Sequence, residues 1–147
     1  MAALAALTIV VGPVSRVDAA QDPIEAACGK WVPLMRANGL PPSRFMAICY
    51  RESRGIAKAV GWNYKPGTSH RSCKLAPART YRRCPAVASF DLGIFQINST
   101  WVTVTRQVCK TRDIFELLQP ECNAAVAGYL YRNGGLNHWR ATSGHNP

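Results

Sequence analysis

The spacing of apolar residues divides the chain into helical and irregular stretches. Apolar positions three and four residues apart predict helices over residues 24–37, 41–53 and 124–132. Residues 113–118 are predicted to form a short turn or helix, and the first and third helices are followed by Asn-Gly or Gly-Gly steps, which are typical of helix ends. Residues 56–89 are rich in glycine, proline and basic residues and predict an irregular loop. The pattern favours a predominantly α-helical chain.

The length of the chain corresponds to one domain. It has 147 residues, of which 48% are hydrophobic, with no internal repeat or linker, so we expect a single compact domain over residues 20–147. Residues 1–19 are mostly small and apolar and end in the spacing of a signal-peptidase site, which predicts a cleaved export signal. A retained N-terminus is the alternative. The apolar run is too short to span a bilayer comfortably, so no stable membrane insertion is expected.

The cysteines agree with export to an oxidising compartment. Six cysteines in a short exported chain predict three disulfides and a secreted or cell-envelope location. Pairing in sequence order is attractive because the first two cysteines flank the turn at Asn38-Gly39 almost symmetrically and the other pairs would close short loops, but the sequence leaves the connectivity open. The six residues are Cys28, Cys49, Cys73, Cys84, Cys109 and Cys122. None has the spacing of a zinc site, and we expect no metal and no cofactor.

Several other residues that stand out in the sequence are expected to have packing roles. Phe95 and Ile97 are predicted to belong to the core, and Trp139 is predicted to be a packing anchor. The three histidines, His70, His138 and His145, lack metal-ligand spacing and are expected at the surface or in packing.

The formal charge of +10 predicts an anionic partner. Nucleic acid, an acidic membrane and an anionic cell-wall polymer all fit this charge. A secreted ribonuclease would also be small, basic and disulfide-linked, but it needs two well-placed histidines for acid/base chemistry. We therefore expect no nucleic-acid partner.

Glu52 interrupts the apolar face of the second predicted helix. It lies on the stripe formed by Phe45, Ile48 and Cys49, so it is expected to face the core or a cleft wall. Burial favours the neutral form of a carboxyl group, and a protonated carboxylic acid is what a general acid requires. The alternative is a structural ion pair with an arginine, either Arg51, Arg54 or one more distant in sequence.

Asp91 is the second carboxylate in an otherwise apolar run. It is surrounded in sequence by Ser89, Gln96, Asn98 and Ser99, whose polar groups are able to hydrogen-bond an ionised carboxylate. Cleavage of a glycosidic bond commonly uses two carboxylic groups in contrasting environments, one protonated and one ionised. Glu52 and Asp91 are therefore predicted to share this chemistry.

The sequence from Asp91 to Trp101, DLGIFQINSTW, resembles the D-x-G-I-x-Q-I-N-S-x-W stretch of c-type lysozymes. Glu52-Ser53, on a helix that bears Cys49, resembles their catalytic E-S pair. The block from residue 123 to 139 is similar to bacterial and phage soluble-lytic-transglycosylase (SLT) domains. Together these resemblances cover roughly residues 24–140. They imply an α+β, predominantly α, lysozyme-like fold with two lobes and a cleft, stabilised by disulfides.

The resemblance also implies an activity and its residues. Glu52 would be the general acid and Asp91 the second carboxylate, while Gln96, Asn98 and Trp101 match positions that line the sugar groove. The implied protein is a secreted, monomeric muramidase that cuts the β-1,4 bond between N-acetylmuramic acid and N-acetylglucosamine. Its partners would be peptidoglycan glycan strands and anionic cell-wall polymers.

Two alternatives keep the same fold. A lytic transglycosylase would use Glu52 alone and leave 1,6-anhydromuramic ends, but its A-Y-N-A-G signature is missing near Trp139. A non-catalytic, cationic wall-binding protein would need neither carboxylate. Hydrolysis is favoured because Asp91 is present. One departure from c-type lysozymes is the longer sequence between the two carboxylates, which contains the basic loop.

Overall fold

The computed structural model describes residues 22–68 and 84–140. The predicted export signal, Cys73, His70, His145 and the middle of the basic loop lie outside these residues. Within the described part the chain is predominantly helical with one small antiparallel sheet. This confirms the α+β, mostly α, fold class.

The predicted helix over residues 24–37 is divided into two α-helices, α1 (Pro23–Cys28) and α2 (Val32–Ala37). A 3-10 turn, Gly29–Trp31, joins them. The division follows from Pro33, which has no N–H to donate to the Gly29 carbonyl and whose ring would clash with it. The backbone N–H of Val32 donates to that carbonyl instead, which gives the tighter 3-10 geometry.

Helix α3 (Pro42–Ser53) forms where the sequence predicts it, and its buried face includes Phe45, Ile48 and Cys49. It ends at Arg54 in the left-handed conformation, with φ of 53°. Gly55 follows with φ of 73°, and a Cβ at this position would collide with the Ala27 carbonyl of α1. Glycine is required here because the end of α3 lies directly against α1.

The described helices after the sheet are α4 (Val102–Cys109), α5 (Pro120–Gly134) and α6 (Asn137–Arg140), with a 3-10 helix, Ile114–Leu118, between α4 and α5. The 3-10 helix and α5 are predicted from the sequence, whereas α4 is not. Its valines and threonines have low intrinsic helix propensity. Packing overrides that propensity: Thr105 is completely buried, and the Cys109–Cys122 disulfide ties α4 to α5.

The sheet has three strands in the order β1 (Val60–Tyr64), β2 (Val87–Leu92) and β3 (Ile97–Asn98). Both pairings are antiparallel, and Asp91 of β2 lies opposite Gly61 of β1 and Asn98 of β3. The prediction of an irregular loop over residues 56–89 is therefore wrong at its two ends, which form β1 and the start of β2. The strand pairing between these distant segments is a tertiary effect that local composition does not report.

Aromatic rings join the helices and the sheet in one core. The Phe45 ring makes edge-on contacts with Phe95, Tyr131 and Trp139 at centroid distances of 5.1 to 5.5 Å. Phe95, Ile97 and Trp139 are all buried, which confirms their predicted packing roles. The sequence-order pairing is also confirmed where both cysteines are described, in Cys28–Cys49 and Cys109–Cys122, and Cys84 is disulfide-bonded as well. In the described ranges, no helix has both the length and the apolar character needed to cross a membrane.

Candidate active site

The turn between β2 and β3 is fixed by a buried amide on α5. Asn123 is completely buried; its Oδ1 accepts from the Phe95 N–H (2.9 Å), and its Nδ2 donates to the carbonyls of Leu92 and Leu117 (2.8 Å each). Gly93 adopts φ of 77°, and a Cβ there would collide with the Asn123 amide and the Leu117 carbonyl. The turn therefore has one conformation, and it directs the flanking strand residues.

Two more side chains hold the same turn from other helices. Ser53 donates its hydroxyl to the Ile94 carbonyl at 2.8 Å and is buried. The Trp139 indole N–H donates to the Phe95 carbonyl at 3.0 Å. In the Glu52-Ser53 pair, the serine thus joins α3 to the sheet, and the neighbouring glutamate is placed beside it.

A pocket of about 330 Å³ lies beside this turn. All five predicted site residues line it, namely Glu52, Asp91, Gln96, Asn98 and Trp101. Its other lining residues are Asn63, Ser89, Ile97, Leu130, His138 and Trp139. The fold thus brings together two carboxylates that are far apart in sequence.

A larger cavity of about 560 Å³ is lined by Ala88 and Phe90 of β2. Residues alternate between the two faces of a strand, so this cavity lies on the face opposite Ser89 and Asp91. Its lining includes one carboxylate, Asp113, whose Oδ1 accepts from the Phe115 N–H and caps the 3-10 helix. The smaller pocket is the better candidate active site because it contains two carboxylates.

Amide groups on both neighbouring strands hold Asp91. Its Oδ1 accepts from the Asn98 side chain at 2.7 Å, and its Oδ2 accepts from the Asn63 side chain at 2.8 Å. Both amides also approach the Ser89 hydroxyl, at 3.1 and 3.2 Å. The Asn98 Oδ1 accepts from the Thr100 N–H at 3.0 Å, which leaves the NH₂ group on the side of Asp91. The two amides thus hold both carboxylate oxygens of Asp91 in place.

The structure corrects the predicted surroundings of Asp91. The Gln96 amide donates instead to the carbonyls of Gly93 (2.9 Å) and Ala59 (3.2 Å), and Ser99 accepts from the Phe90 N–H. Gln96 has φ of 48°, and its side chain binds the Gly93 carbonyl within the same turn. Asn63 donates to Asp91 in their place. The sequence does not predict this contact, because residues 56–89 are expected to form an irregular loop. Recognising β1 as a strand would have placed Asn63 on the same face as Gly61, which pairs with Asp91.

An ion pair with Arg51 holds the Glu52 side chain. The Arg51 guanidinium donates to the Glu52 Oε1 at 2.8 and 3.0 Å and reaches the Trp139 carbonyl at 3.2 Å. The Glu52 side chain is 11% exposed, whereas the Arg51 side chain is 38% exposed. The predicted alternative of an ion pair with Arg51 is thus confirmed, and Glu52 also lines the pocket.

Three aromatic rings, those of Trp101, His138 and Trp139, form another part of the pocket lining. The His138 ring lies edge-on to Trp101 and Trp139, at centroid distances of 4.9 and 5.8 Å. Burial lowers the pKa of His138 below its ordinary value, and a hydrogen bond with the Leu130 backbone opposes this effect. The sequence does not assign His138 to the site. Helix α6 has 4 residues, too few for the spacing of apolar positions to show which way the ring points. Among the described residues, no three His, Cys, Asp or Glu side chains are grouped to hold a metal ion.

Comparisons with protein-family models, with curated proteins and with solved structures found no match. The resemblance to c-type lysozymes and to SLT domains therefore depends on the sequence motifs, and the functional argument depends on the pocket.

Proposed function

We propose that this protein is a secreted, monomeric muramidase with a lysozyme-like, two-lobed fold. It would cut the β-1,4 bond between N-acetylmuramic acid and N-acetylglucosamine, with Glu52 as general acid and Asp91 as the second carboxylate. The observation that carries the proposal is that two carboxylates, Glu52 from α3 and Asp91 from β2, line one pocket.

The two carboxylates have different partners. Asp91 receives hydrogen bonds on both carboxylate oxygens from neutral amides, which would hold it beside the developing positive charge. Glu52 lies on the apolar stripe of α3 and is mostly buried, and its ion pair with Arg51 would have to open before it acts as the acid.

The proposed reaction proceeds in two stages. Glu52 protonates the glycosidic oxygen while the bond between that oxygen and the anomeric carbon breaks. Asp91 stabilises the oxocarbenium-like centre, and water then adds to the anomeric carbon and returns a proton to Glu52. Glu52 must carry a proton at the start, so Arg51 has to release the carboxyl group. The Arg51 side chain is 38% exposed, so solvent is available to the guanidinium when it leaves the mostly buried carboxyl group.

The groove residues divide into two kinds. The Trp101 indole is half-buried in the pocket wall and offers an apolar surface for a sugar ring. The Asn98 NH₂ group donates to Asp91, so its proposed role is to support that carboxylate. The charge of +10 favours encounter with anionic cell-wall polymers.

The test is digestion of purified peptidoglycan with the wild type and with Glu52→Gln, followed by mass spectrometry of the product ends. Loss of the general acid is expected to lower the release rate by about 10² to 10⁴-fold, while binding to peptidoglycan is retained. Glu121→Gln is the matched control, because Glu121 is exposed in the first turn of α5, away from the pocket. An unchanged rate in Glu52→Gln would contradict the assignment.

The product ends separate the proposal from its alternatives. Reducing muramic ends support hydrolysis, whereas 1,6-anhydromuramic ends would indicate a lytic transglycosylase that uses Glu52 alone. Wild-type protein that binds peptidoglycan without cleaving it would instead be a cationic wall-binding protein.

A further inference from the structure

His138 lies between two tryptophans in the wall of the pocket. Its ring centroid is 4.9 Å from that of Trp101, at an interplanar angle of 81°, and 5.8 Å from that of Trp139, at 84°. Trp101 ends the 3-10 turn after β3, whereas His138 and Trp139 belong to α6. The histidine ring is therefore the contact through which α6 reaches Trp101.

The His138 ring also lies close to the backbone of α5. A Cβ added at Gly134, near the end of α5, would lie 2.9 Å from the His138 Nε2. A side chain at position 134 would thus require the ring to move. The backbone of α5 and the two indoles together limit the positions open to the imidazole, which contacts the Trp101 indole.

We propose that His138 is a positioning residue for glycan binding: its neutral ring holds the Trp101 indole where a sugar ring packs, and its protonation weakens that binding. This inference rests on the proposed function. The ligand class is a β-1,4-linked N-acetylhexosamine chain, whose apolar sugar faces are suited to an indole. Such edge-on aromatic contacts favour one relative orientation of the two rings.

The direction of the pH effect follows from the surroundings of the ring. Burial lowers the pKa of His138 below its ordinary value of about 6.5, so the ring is neutral at neutral pH. An imidazolium requires hydration, which competes with packing between two indoles.

The charged groups around the ring act in opposite directions. Glu52 on α3 and Asp91 on β2 line the same pocket as His138, and their negative charge favours an imidazolium. Arg51, which reaches the Trp139 carbonyl, and Arg140 on α6 itself carry positive charge, which disfavours it. The pKa of His138 is lowered, so burial is the larger effect, and protonation is expected to weaken the packing of the ring against Trp101.

The test measures the affinity for a β-1,4-linked N-acetylglucosamine tetramer by calorimetry, at about pH 7.5 and about pH 5, on either side of the ordinary histidine range. His138→Phe keeps an aromatic ring but takes no proton, whereas His138→Gln keeps a polar group but has no ring. We expect the wild type to bind about fivefold more weakly at the lower pH. His138→Phe should lose less affinity than the wild type at the lower pH, and His138→Gln should bind about fivefold more weakly than the wild type at pH 7.5.

His138→Phe retains Glu52 and Asp91, so any pH dependence that these carboxylates cause is present in it. A His138→Phe variant that weakens with pH as much as the wild type would overturn the inference, as would a His138→Gln variant with wild-type affinity at pH 7.5. Near-ultraviolet circular dichroism of both variants verifies that the core around the tryptophans is intact.

A second measurement needs no ligand and separates this inference from the proposed function. The NMR signal of the Trp101 indole N–H, identified by its loss in Trp101→Phe, should shift as His138 titrates in the wild type and stay constant in His138→Phe. A signal that does not follow the titration of His138 would overturn the inference whatever the activity. A wild type that binds no tetramer while the signal shifts as expected would overturn the glycan role and count against the proposed function, but not the ring contact.

Discussion

Glu52 projects from the end of a helix, whereas Asp91 projects from the middle strand of a sheet, and different chemistry holds each of them. The helix presents Glu52 with a charged neighbour, Arg51, on its exposed side. The sheet presents Asp91 with neutral amides from both flanking strands. The Arg51 side chain is 38% exposed, whereas that of Glu52 is 11% exposed, so solvent reaches the pair from the arginine side. The amides at Asp91 lie on strands that are paired with β2. Glu52 is therefore held by one partly exposed side chain, and Asp91 by two side chains on neighbouring strands.

The largest expected effect is on Asp91 itself. Asp91→Asn removes the charge but keeps the shape, so hydrolysis of peptidoglycan should fall by about 10² to 10³-fold if the charge stabilises the transition state. The release rate of soluble fragments measures this. Asp22→Asn is the matched control, because Asn also caps helices well and Asp22 caps the exposed start of α1. Near-normal activity of Asp91→Asn would remove Asp91 from the mechanism and favour the single-carboxylate alternative.

The next largest effect is expected on stability, at the turn between β2 and β3 that Asn123 holds. Asn123→Ala leaves the Phe95 N–H and two carbonyls without their buried partner, so we expect a loss of about 3 kcal/mol in the free energy of unfolding. Urea denaturation measures it. Asn133→Ala, at an exposed site on the same helix, should cost less than about 1 kcal/mol. Equal losses in the two variants would show that the turn does not depend on Asn123.

The amides around Asp91 should each contribute less than the carboxylate. Asn63→Ala removes the 2.8 Å hydrogen bond to Oδ2, and we expect kcat to fall about tenfold, which corresponds to about 1.4 kcal/mol. Steady-state kinetics on a soluble glycan would measure it. In the Asp91→Asn background the same substitution should have little further effect, because the charge it supports is already absent. Additive losses would contradict the role assigned to Asn63.

A further prediction concerns Arg51, the ion-pair partner of Glu52. Arg51→Met keeps much of the aliphatic length but removes the guanidinium that binds Glu52, so the release rate of soluble fragments should rise if Arg51 must leave the carboxyl group before the acid step. The change in unfolding free energy should stay below about 1 kcal/mol, because the pair is partly exposed. A digestion assay and a urea titration measure the two quantities. A release rate equal to that of the wild type would show that Arg51 does not influence the acid step.

The smallest expected effect is the contribution of His138 to stability. Its pKa in the folded protein is lowered, so the unfolded chain binds the proton more readily. The stability contribution is therefore present above the ordinary histidine pKa of about 6.5 and is lost as pH falls through and below that value. Urea denaturation of the wild type and of His138→Phe over this range measures it. The variant should lose less stability on acidification; an equal loss would assign the effect to other groups.

Local sequence predicts the helical part of this molecule well. The apolar spacing predicts α3 and α5 because each buries one face along its length. It does not predict β1, because its pairing partner β2 lies far along the chain. It does not predict α4, whose helix depends on burial of Thr105 and on a disulfide to α5. The division of the first helix is readable in principle, since Pro33 removes one backbone donor.

The sequence predicts which residues line the candidate site better than it predicts the hydrogen bonds between them. Glu52, Asp91, Gln96, Asn98 and Trp101 all line the pocket. Their hydrogen bonds differ from expectation. The Gln96 amide donates to backbone carbonyls, and the Asn63 amide donates to Asp91, where the sequence predicts Gln96. Gln96 has a left-handed backbone, a conformation that has no reliable sign in the sequence.

The sequence by itself indicated the candidate site residues, because an isolated carboxylate in an apolar run is visible without coordinates. It also determined the buried faces of the long helices, whereas it left the pairing of the cysteines open. Only the tertiary structure decided which polar groups meet those carboxylates, since Asn63 and Asn98 reach Asp91 through strand register, and Arg51 and His138 reach the pocket through the packing of α3 and α6. Contacts of this kind depend on the mutual placement of distant segments, and local propensity carries no record of that placement.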